Sequence, residues 1–193
     1  VLEPEQFGER YAIIDLNRNS KAYKEQAALE AEAGRTIIKS GEYAEICTIA
    51  KAVTSNQTAM DLLKDTEREI VLEWEYAGIA RKGRLDAYKT GAVIDLKTCT
   101  DPQPWAFNNQ LVKMFYHAQM ALYAEGAATV YGTKYPEAFI IAVQNKAPYE
   151  CVTYRLPLSV LSRGEEIYTR WINELVHCQK TGMFPGKYED IQD

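Results

Sequence analysis

Two aspartates and a lysine set the chemistry this chain can attempt. Asp86 falls in Gly83-Arg84-Leu85-Asp86-Ala87-Tyr88-Lys89, and Asp95 and Lys97 fall in Ala92-Val93-Ile94-Asp95-Leu96-Lys97-Thr98. Thr90-Gly91 between them suits a tight turn, because glycine reaches positive φ without steric cost. The apolar or small residues Leu85, Ala87, Val93, Ile94 and Leu96 fit a half-buried sheet. Asp95 and Lys97 are two apart, so a strand points both to one face, and Asp86 can oppose them across the ladder. Two carboxylates make an oxygen site for a hard divalent cation such as Mg²⁺, which keeps several waters. The backbone carbonyl of Leu96 offers a third oxygen. Lys97 would stand beside a metal-bound water and steady charge on a phosphate. The plain alternative is a surface Asp–Lys pair worth about 0–1 kcal/mol. Strand spacing alone leaves the two readings level.

A second pair of polar residues lies downstream. Gln119 and Tyr123 are four apart and share one face of a helix, while Ala118 and Leu122 share another. An amide and a phenol placed beside the hairpin can order a ligating carboxylate, an attacking water or a phosphate. Read alone, they are a solvated glutamine and a tyrosine with its tip in water.

These residues need a scaffold, and the patterning supplies one. The stretch from Arg10 to Leu16 reads as an edge strand or extended arm. Residues 21–38 read as a helix, with Tyr23, Ala27 and Ala31 at four-residue steps and Gly34 interrupting it or lying near its end. A second helix is expected over about 42–53, and a third over 58–64 with Ser55-Asn56 as its N-cap. From Glu69 to Glu75 the pattern changes to alternation, with Ile70, Leu72 and Trp74 on one face, which argues for a strand. Tyr76-Ala77-Gly78 turns the chain into a three-stranded meander over 79–88 and 92–98. A long helix is expected from Trp105 to Glu125, ended by Gly126. Phe139-Ile140-Ile141-Ala142-Val143 reads as a strand covered on both faces, paired with 150–156. A last helix runs from 159 to 181, closed by Gly182, and residues 183–193 carry few signals for either element. The fold class expected is α/β (α+β): a central mixed sheet containing an antiparallel three-stranded meander, flanked by helices, as one domain over residues 1–193.

The chain has 193 residues, 47% of them hydrophobic, which suffices for a packed core and argues against disorder. No apolar run approaches the ~20 residues that span a bilayer, so no membrane is expected. Net charge is −5, mildly against nucleic-acid binding, though metal-ligating acids themselves lower the charge. Cys47, Cys99, Cys151 and Cys178 form no CxxC pair and only two histidines accompany them, which speaks against zinc. Reduced, mostly buried thiols in a cytosolic protein are the expectation.

Gly83-Arg84-Leu85-Asp86, then Ile94-Asp95-Leu96-Lys97-Thr98, then Gln119-x-x-x-Tyr123 resembles the PD-(D/E)xK nuclease superfamily. The Gln-x3-Tyr element resembles its RecB-like branch. Within that branch the chain resembles the nuclease domain of RecE-type phage and prophage exonucleases (exonuclease VIII). Val1-Leu2-Glu3-Pro4-Glu5-Gln6-Phe7, Lys82-Gly83-Arg84-Leu85-Asp86 and the closing Phe184-Pro185-Gly186 carry that resemblance nearly end to end. It implies a restriction-endonuclease-like core and a Mg²⁺-dependent exonuclease, with Mn²⁺ able to substitute, that digests linear double-stranded DNA from its ends in the 5′-to-3′ direction. It implies a ring-shaped homo-oligomer, a tetramer, a RecT-like single-strand annealing protein as partner in phage-type recombination, and a cytoplasmic location in a bacterial or phage-infected cell. Asp86 and Asp95 match its metal ligands, Lys97 its catalytic lysine, and Gln119 and Tyr123 its supporting motif. A glutamate on the preceding strand belongs to the pattern, with Glu69 the best fit and Glu73 and Glu75 on the same face. The family also places a histidine just ahead of the Leu-Glu-Pro segment, which here would precede Val1.

Around this core several residues have two readings. Arg81, Lys82 and Arg84 near the hairpin, and Lys113 on the following helix, either contact phosphates or solvate strand edges and a helix face. His117, two residues before Gln119, lies within reach of DNA. Trp105 and Phe107 are read as core anchors in preference to stacking on a DNA end, Trp74 and Trp171 as core, and His177 as complementing a helix dipole. The alternatives to an exonuclease are a RecB-like endonuclease, a single-strand nuclease, or a non-catalytic DNA-binding or assembly module on the same fold.

Overall fold

The computed structural model describes residues 2–76 and 78–184. Ala77 of the expected turn, Pro185-Gly186 and most of the 183–193 tail lie outside the described residues. The chain opens with a 3₁₀ turn (Pro4–Gln6), a single-turn helix α1 (Phe7–Arg10) and a short strand β1 (Tyr11–Ile13). Helix α2 (Lys21–Glu32) follows, capped by Ser20, whose hydroxyl accepts the Tyr23 amide at 3.1 Å. The expected helix over 21–38 is therefore too long. Gly34 leaves the helical region at φ 72°, and Thr36-Ile37-Ile38, stiff β-branched residues that suit strands, form β2 (Thr36–Ile38) parallel to β1.

Helices α3 (Ser40–Thr54) and α4 (Gln57–Leu63) come next. Asn56 caps α4 by accepting the Ala59 amide at 3.0 Å, as the Ser55-Asn56 signal predicts, a contact typically worth about 1 kcal/mol. Then come β3 (Glu67–Tyr76), β4 (Ile79–Lys89) and β5 (Ala92–Cys99), helices α5 (Pro104–Lys113) and α6 (Tyr116–Tyr131), strands β6 (Glu137–Gln144) and β7 (Cys151–Leu156), and α7 (Leu158–Thr181). The five strands form one mixed sheet in the order β3-β4-β5-β6-β7. β3, β4 and β5 are the antiparallel meander, β6 runs parallel to β5, and β7 returns antiparallel. The fold class read from the sequence matches this arrangement.

Each face of the sheet has its own core. On one face Leu72, Trp74, Leu85, Val93 and Ile140 meet Phe107, Met120, Ala124, Leu161 and Tyr168 from α5, α6 and α7. On the other, Ala87, Ile94, Ile141 and Val143 meet Val53, Ala59 and Leu63 from α3 and α4. Burial on both sides explains the unbroken apolar run in β6.

The expected helix from Trp105 to Glu125 is two helices. It breaks at Met114-Phe115, where Phe115 takes φ 54°, and resumes as α6, which runs past Gly126 to a left-handed cap at Gly132. Gly126 is not a terminator. A β-carbon there would lie 2.8 Å from the Trp74 ring, so the glycine lets the helix sit down on β3. Gly164 does the same for α7, where a β-carbon would meet the His117 carbonyl oxygen at 2.2 Å. Three further expectations fail. Trp105 is exposed, Trp171 is half-exposed, and Cys47 is an exposed thiol while only Cys99 is fully buried. Trp74 and Phe107 are core residues as expected.

Candidate metal and active site

The site begins with an interruption in strand pairing. β4 and β5 pair only at Ala87–Ile94, Tyr88–Val93 and Lys89–Ala92. The next register positions are Asp86 and Asp95, where the ladder has stopped. There the Leu96 amide donates to Asp86 Oδ2 at 2.7 Å. β3 is irregular at the same level. Pairs form at Arg68–Ala87 and Ile70–Leu85 but not at Glu69 and Asp86, and Glu69 has φ 51°. A non-glycine residue in the left-handed region inside a strand is strained, and such outliers cluster at functional sites.

Asp95 lies in the layer between the sheet and α6 and is 1% exposed. Lys97 Nζ stands 2.6 Å from Asp95 Oδ2, with its side chain 17% exposed. Burial foremost, and then the charge of Asp86, push the Asp95 carboxyl up to about 6 against the pull of Lys97. Loss of solvation and a like charge both disfavour the anion. A carboxylate pair in this state attracts a cation, and an oxygen pair attracts a hard one. The donor set therefore fits Mg²⁺ at Asp86 and Asp95. Among the described residues no three His, Cys, Asp or Glu side chains form a metal-holding group, and the Leu96 carbonyl is the third oxygen the sequence reading offers.

Helix α6 lays three residues along this layer. Gln119 Nε2 donates to the Tyr123 hydroxyl at 2.9 Å. Burial first raises the Tyr123 phenol, the Gln119 bond opposes that, and the charges of Asp95, Lys97 and Asp86 reach it. Tyr123 also packs on Gly83, where a β-carbon would meet its ring at 2.9 Å. The third residue, Tyr116, was not singled out from the sequence. Lys97 Nζ sits over its ring at 4.8 Å from the centroid, and Gln110 Nε2 reaches its hydroxyl at 3.4 Å. Tyr116, Gln119 and Tyr123 are spaced i, i+3, i+7, a single helical stripe, and that spacing is the signal that could have found it.

The remaining candidates scatter. Glu69 is half-buried beside Asp86 in register but turns to Arg84, whose Nε lies 3.2 Å from its Oε2. Glu73 pairs with Lys82 at 2.9 Å on an exposed surface, and Glu75 is exposed. Of the three glutamates, Glu69 alone lies at the level of the aspartates. Lys113 is exposed at the end of α5. Two expected DNA contacts are corrected. His117 is 4% exposed, with Nδ1 3.3 Å from the Leu111 carbonyl oxygen, because it faces the α6–α7 contact. Arg81 is enclosed, its NH1 2.5 and 2.7 Å from the two Glu125 carboxylate oxygens, so it serves the interior and not a phosphate. His177 is exposed near the end of α7.

Splayed hairpin, paired aspartates, adjacent lysine and crossing helix together are the arrangement of the PD-(D/E)xK fold. The chain belongs to the family described as PDDEXK-like domain of unknown function (DUF3799), whose profile matches residues 1–192. No curated protein sequence matches it significantly. Among solved structures it is similar to a candidate exonuclease from Eubacterium rectale, with TM-score 0.68 and 14% identity over 88% of this chain. The chain spans 66% of that protein's length, just under two thirds. A weaker likeness, TM-score 0.39 and 13% identity over 82% of both chains, is to an alkaline exonuclease from Laribacter hongkongensis. No described helix is long and apolar enough to cross a membrane.

Proposed function

We propose that the chain is a metal-dependent deoxyribonuclease that hydrolyses phosphodiester bonds at the ends of linear double-stranded DNA. One observation carries the reading: Asp95 is buried and raised in pKa beside a second acid, Asp86, with Lys97 Nζ 2.6 Å from its Oδ2. A second acid beside a buried carboxylate opposes its ionisation, a cost that a purely structural ion pair does not require. Asp86 and Asp95 would hold Mg²⁺ or Mn²⁺, with the Leu96 carbonyl as a third oxygen. A bound divalent ion supplies charge against the phosphate and a water of lowered pKa. Lys97, fixed between the Asp95 carboxylate and the Tyr116 ring, places an ammonium where the scissile phosphate gathers charge. Gln119 fixes the Tyr123 hydroxyl, which is oriented to donate to a ligating carboxylate or a phosphate oxygen. Arg84 and Lys82, exposed on β4, and Lys113 on α5 are the candidates for phosphate contacts.

The resemblance to RecE-type enzymes and the exonuclease name of the Eubacterium rectale neighbour favour end-dependent digestion, with 5′-to-3′ polarity, a homo-oligomeric ring and an annealing partner as the finer proposal. The test is a time course on 5′- and 3′-labelled linear duplex and on closed circular duplex with Mg²⁺, beside Asp95→Ala. The expected result is loss of linear duplex alone, from the 5′ ends, absent in the variant. Equal digestion by Asp95→Ala overturns the site; digestion of the closed circle overturns end dependence.

A further inference from the structure

Beside the aspartate site a groove of about 730 Å³ runs between β4, α6 and α7. Gln119 and Tyr123, from the stripe described above, line it, so the groove is continuous with the candidate active site. Its other wall is aromatic and unusually open. Phe115 and Trp171 meet edge to face with ring centroids 4.9 Å apart, yet they remain 43% and 40% exposed. Met114 and Leu175 extend the same exposed apolar surface.

Phe115 is held there at a cost. It occupies the break between α5 and α6 at φ 54°, a conformation a glycine would take freely and a phenylalanine rarely takes. The α6 backbone does not need the ring: the Phe115 carbonyl accepts the Ala118 and Gln119 amides, as any residue's would. The ring is therefore the feature to be explained, and it is turned to the groove. Charge selects the occupant. The lining contains two cations, Lys82 and Arg84, and no carboxylate, in a chain of net charge −5. Each cation is met by a single glutamate, Lys82 by exposed Glu73 and Arg84 by half-buried Glu69; both cationic side chains are themselves exposed, so a phosphate can reach them. Aromatic faces that stack bases beside cations that follow the backbone are how single-stranded nucleic acid is held without sequence preference.

We propose that this groove is a nucleobase-stacking subsite: Phe115 and Trp171 receive an unpaired base of the DNA strand adjoining the bond at Asp86 and Asp95. The assignment rests on the nuclease reading for its orientation but not for its binding. The aromatic pair separates the end of one strand from its complement and presents it to the site.

The experiment is a fluorescence-anisotropy titration of labelled oligothymidylate with the full chain in metal-free buffer. Trp171→Leu and Phe115→Leu are expected to weaken binding roughly tenfold each, the scale of one base–aromatic stack, while Trp171→Phe stays close to the parent because it keeps an aromatic face. Leucine variants that bind like the parent overturn the proposal. So does a change of oligomeric mass with oligonucleotide affinity untouched, which would make the groove a contact between copies. Asp95→Ala run alongside separates the two readings: it should bind oligothymidylate and fail to hydrolyse DNA. Hydrolysis by Asp95→Ala removes the assigned site and leaves the groove result standing; a parent that binds no oligothymidylate removes the groove whatever its activity.

Discussion

Two carboxylates face the same helical layer and have opposite fates. Glu125 on α6 is saturated: it accepts from Trp74 Nε1 at 2.8 Å, from Arg81 at 2.5 and 2.7 Å, and from the Tyr168 hydroxyl at 2.7 Å. Tyr76 and Tyr168 flank the Arg81 guanidinium with their rings, at 4.9 and 5.4 Å. Burial, and next the Glu125 hydrogen bond, raise the Tyr168 phenol strongly. This cluster clamps β3 and β4 to α6 and α7. Asp95, on the neighbouring strand, has Lys97 Nζ 2.6 Å from its Oδ2 and a second acid, Asp86, whose charge helps to raise its pKa. The contrast teaches that burial alone does not mark a functional acid. An acid surrounded by donors and a cation is architecture; one buried beside a second acid is available for chemistry.

Breaking the comparison on the chemical side should give the largest effect. Asp95→Ala and Lys97→Ala are expected to lower the rate on linear duplex with Mg²⁺ by about a thousandfold or more, the scale of losing a charge aimed at the reacting phosphate, with the far-ultraviolet dichroism spectrum preserved. Glu125→Ala should do the reverse. It strands Arg81 in the interior, and urea unfolding should show a loss of about 3–5 kcal/mol, the usual result of removing one partner of a buried pair.

A pH series sharpens the contrast. Asp95 titrates at about 6 in the fold against 3.8 for a free aspartate. Between those values the folded protein holds a proton that the unfolded chain has released, so stability relative to a neutral residue is full below the lower value and falls as pH rises through the upper one. Metal-free Asp95→Asn should therefore melt with the parent at about pH 4 and above it at about pH 8, by on the order of 1–3 kcal/mol. Mg²⁺ should close that gap by stabilising the parent alone. The smallest effect is expected at Tyr116. Tyr116→Leu removes a cation–π contact worth about 1 kcal/mol and should lower kcat several-fold with KM little changed, while Tyr116→Phe keeps the ring and the rate.

The sequence carried the periodic parts of this molecule well. Alternation located β3, turn signals and apolar residues located β4 and β5, and the two-residue spacing of Asp95 and Lys97 put them on one face. Long-range packing was not readable in the same way. Gly126 looks like a helix end because glycine usually is one, but Trp74, far away in the chain, needs its missing side chain. Arg81 looks like a surface cation because its carboxylate partner lies 44 residues on. Trp171 was placed in the core by its amphipathic helix, and nothing local reveals that Phe115 leaves the helical path beside it. Strand irregularity at Glu69 and Asp86 was invisible for the same reason: each residue type is ordinary, and only the ladder shows the interruption.

Asp86 has a further consequence. Its Oδ2 takes the amide hydrogen that β4 would otherwise have accepted through a main-chain carbonyl, so the side chain works as a joint that holds the two strands at their parting. Oδ1 and the second lone pair of Oδ2 are left for a cation. The residue thus carries two duties on one carboxylate, and they can be uncoupled: an asparagine can keep the joint through its amide oxygen while surrendering the charge, whereas an alanine gives up both.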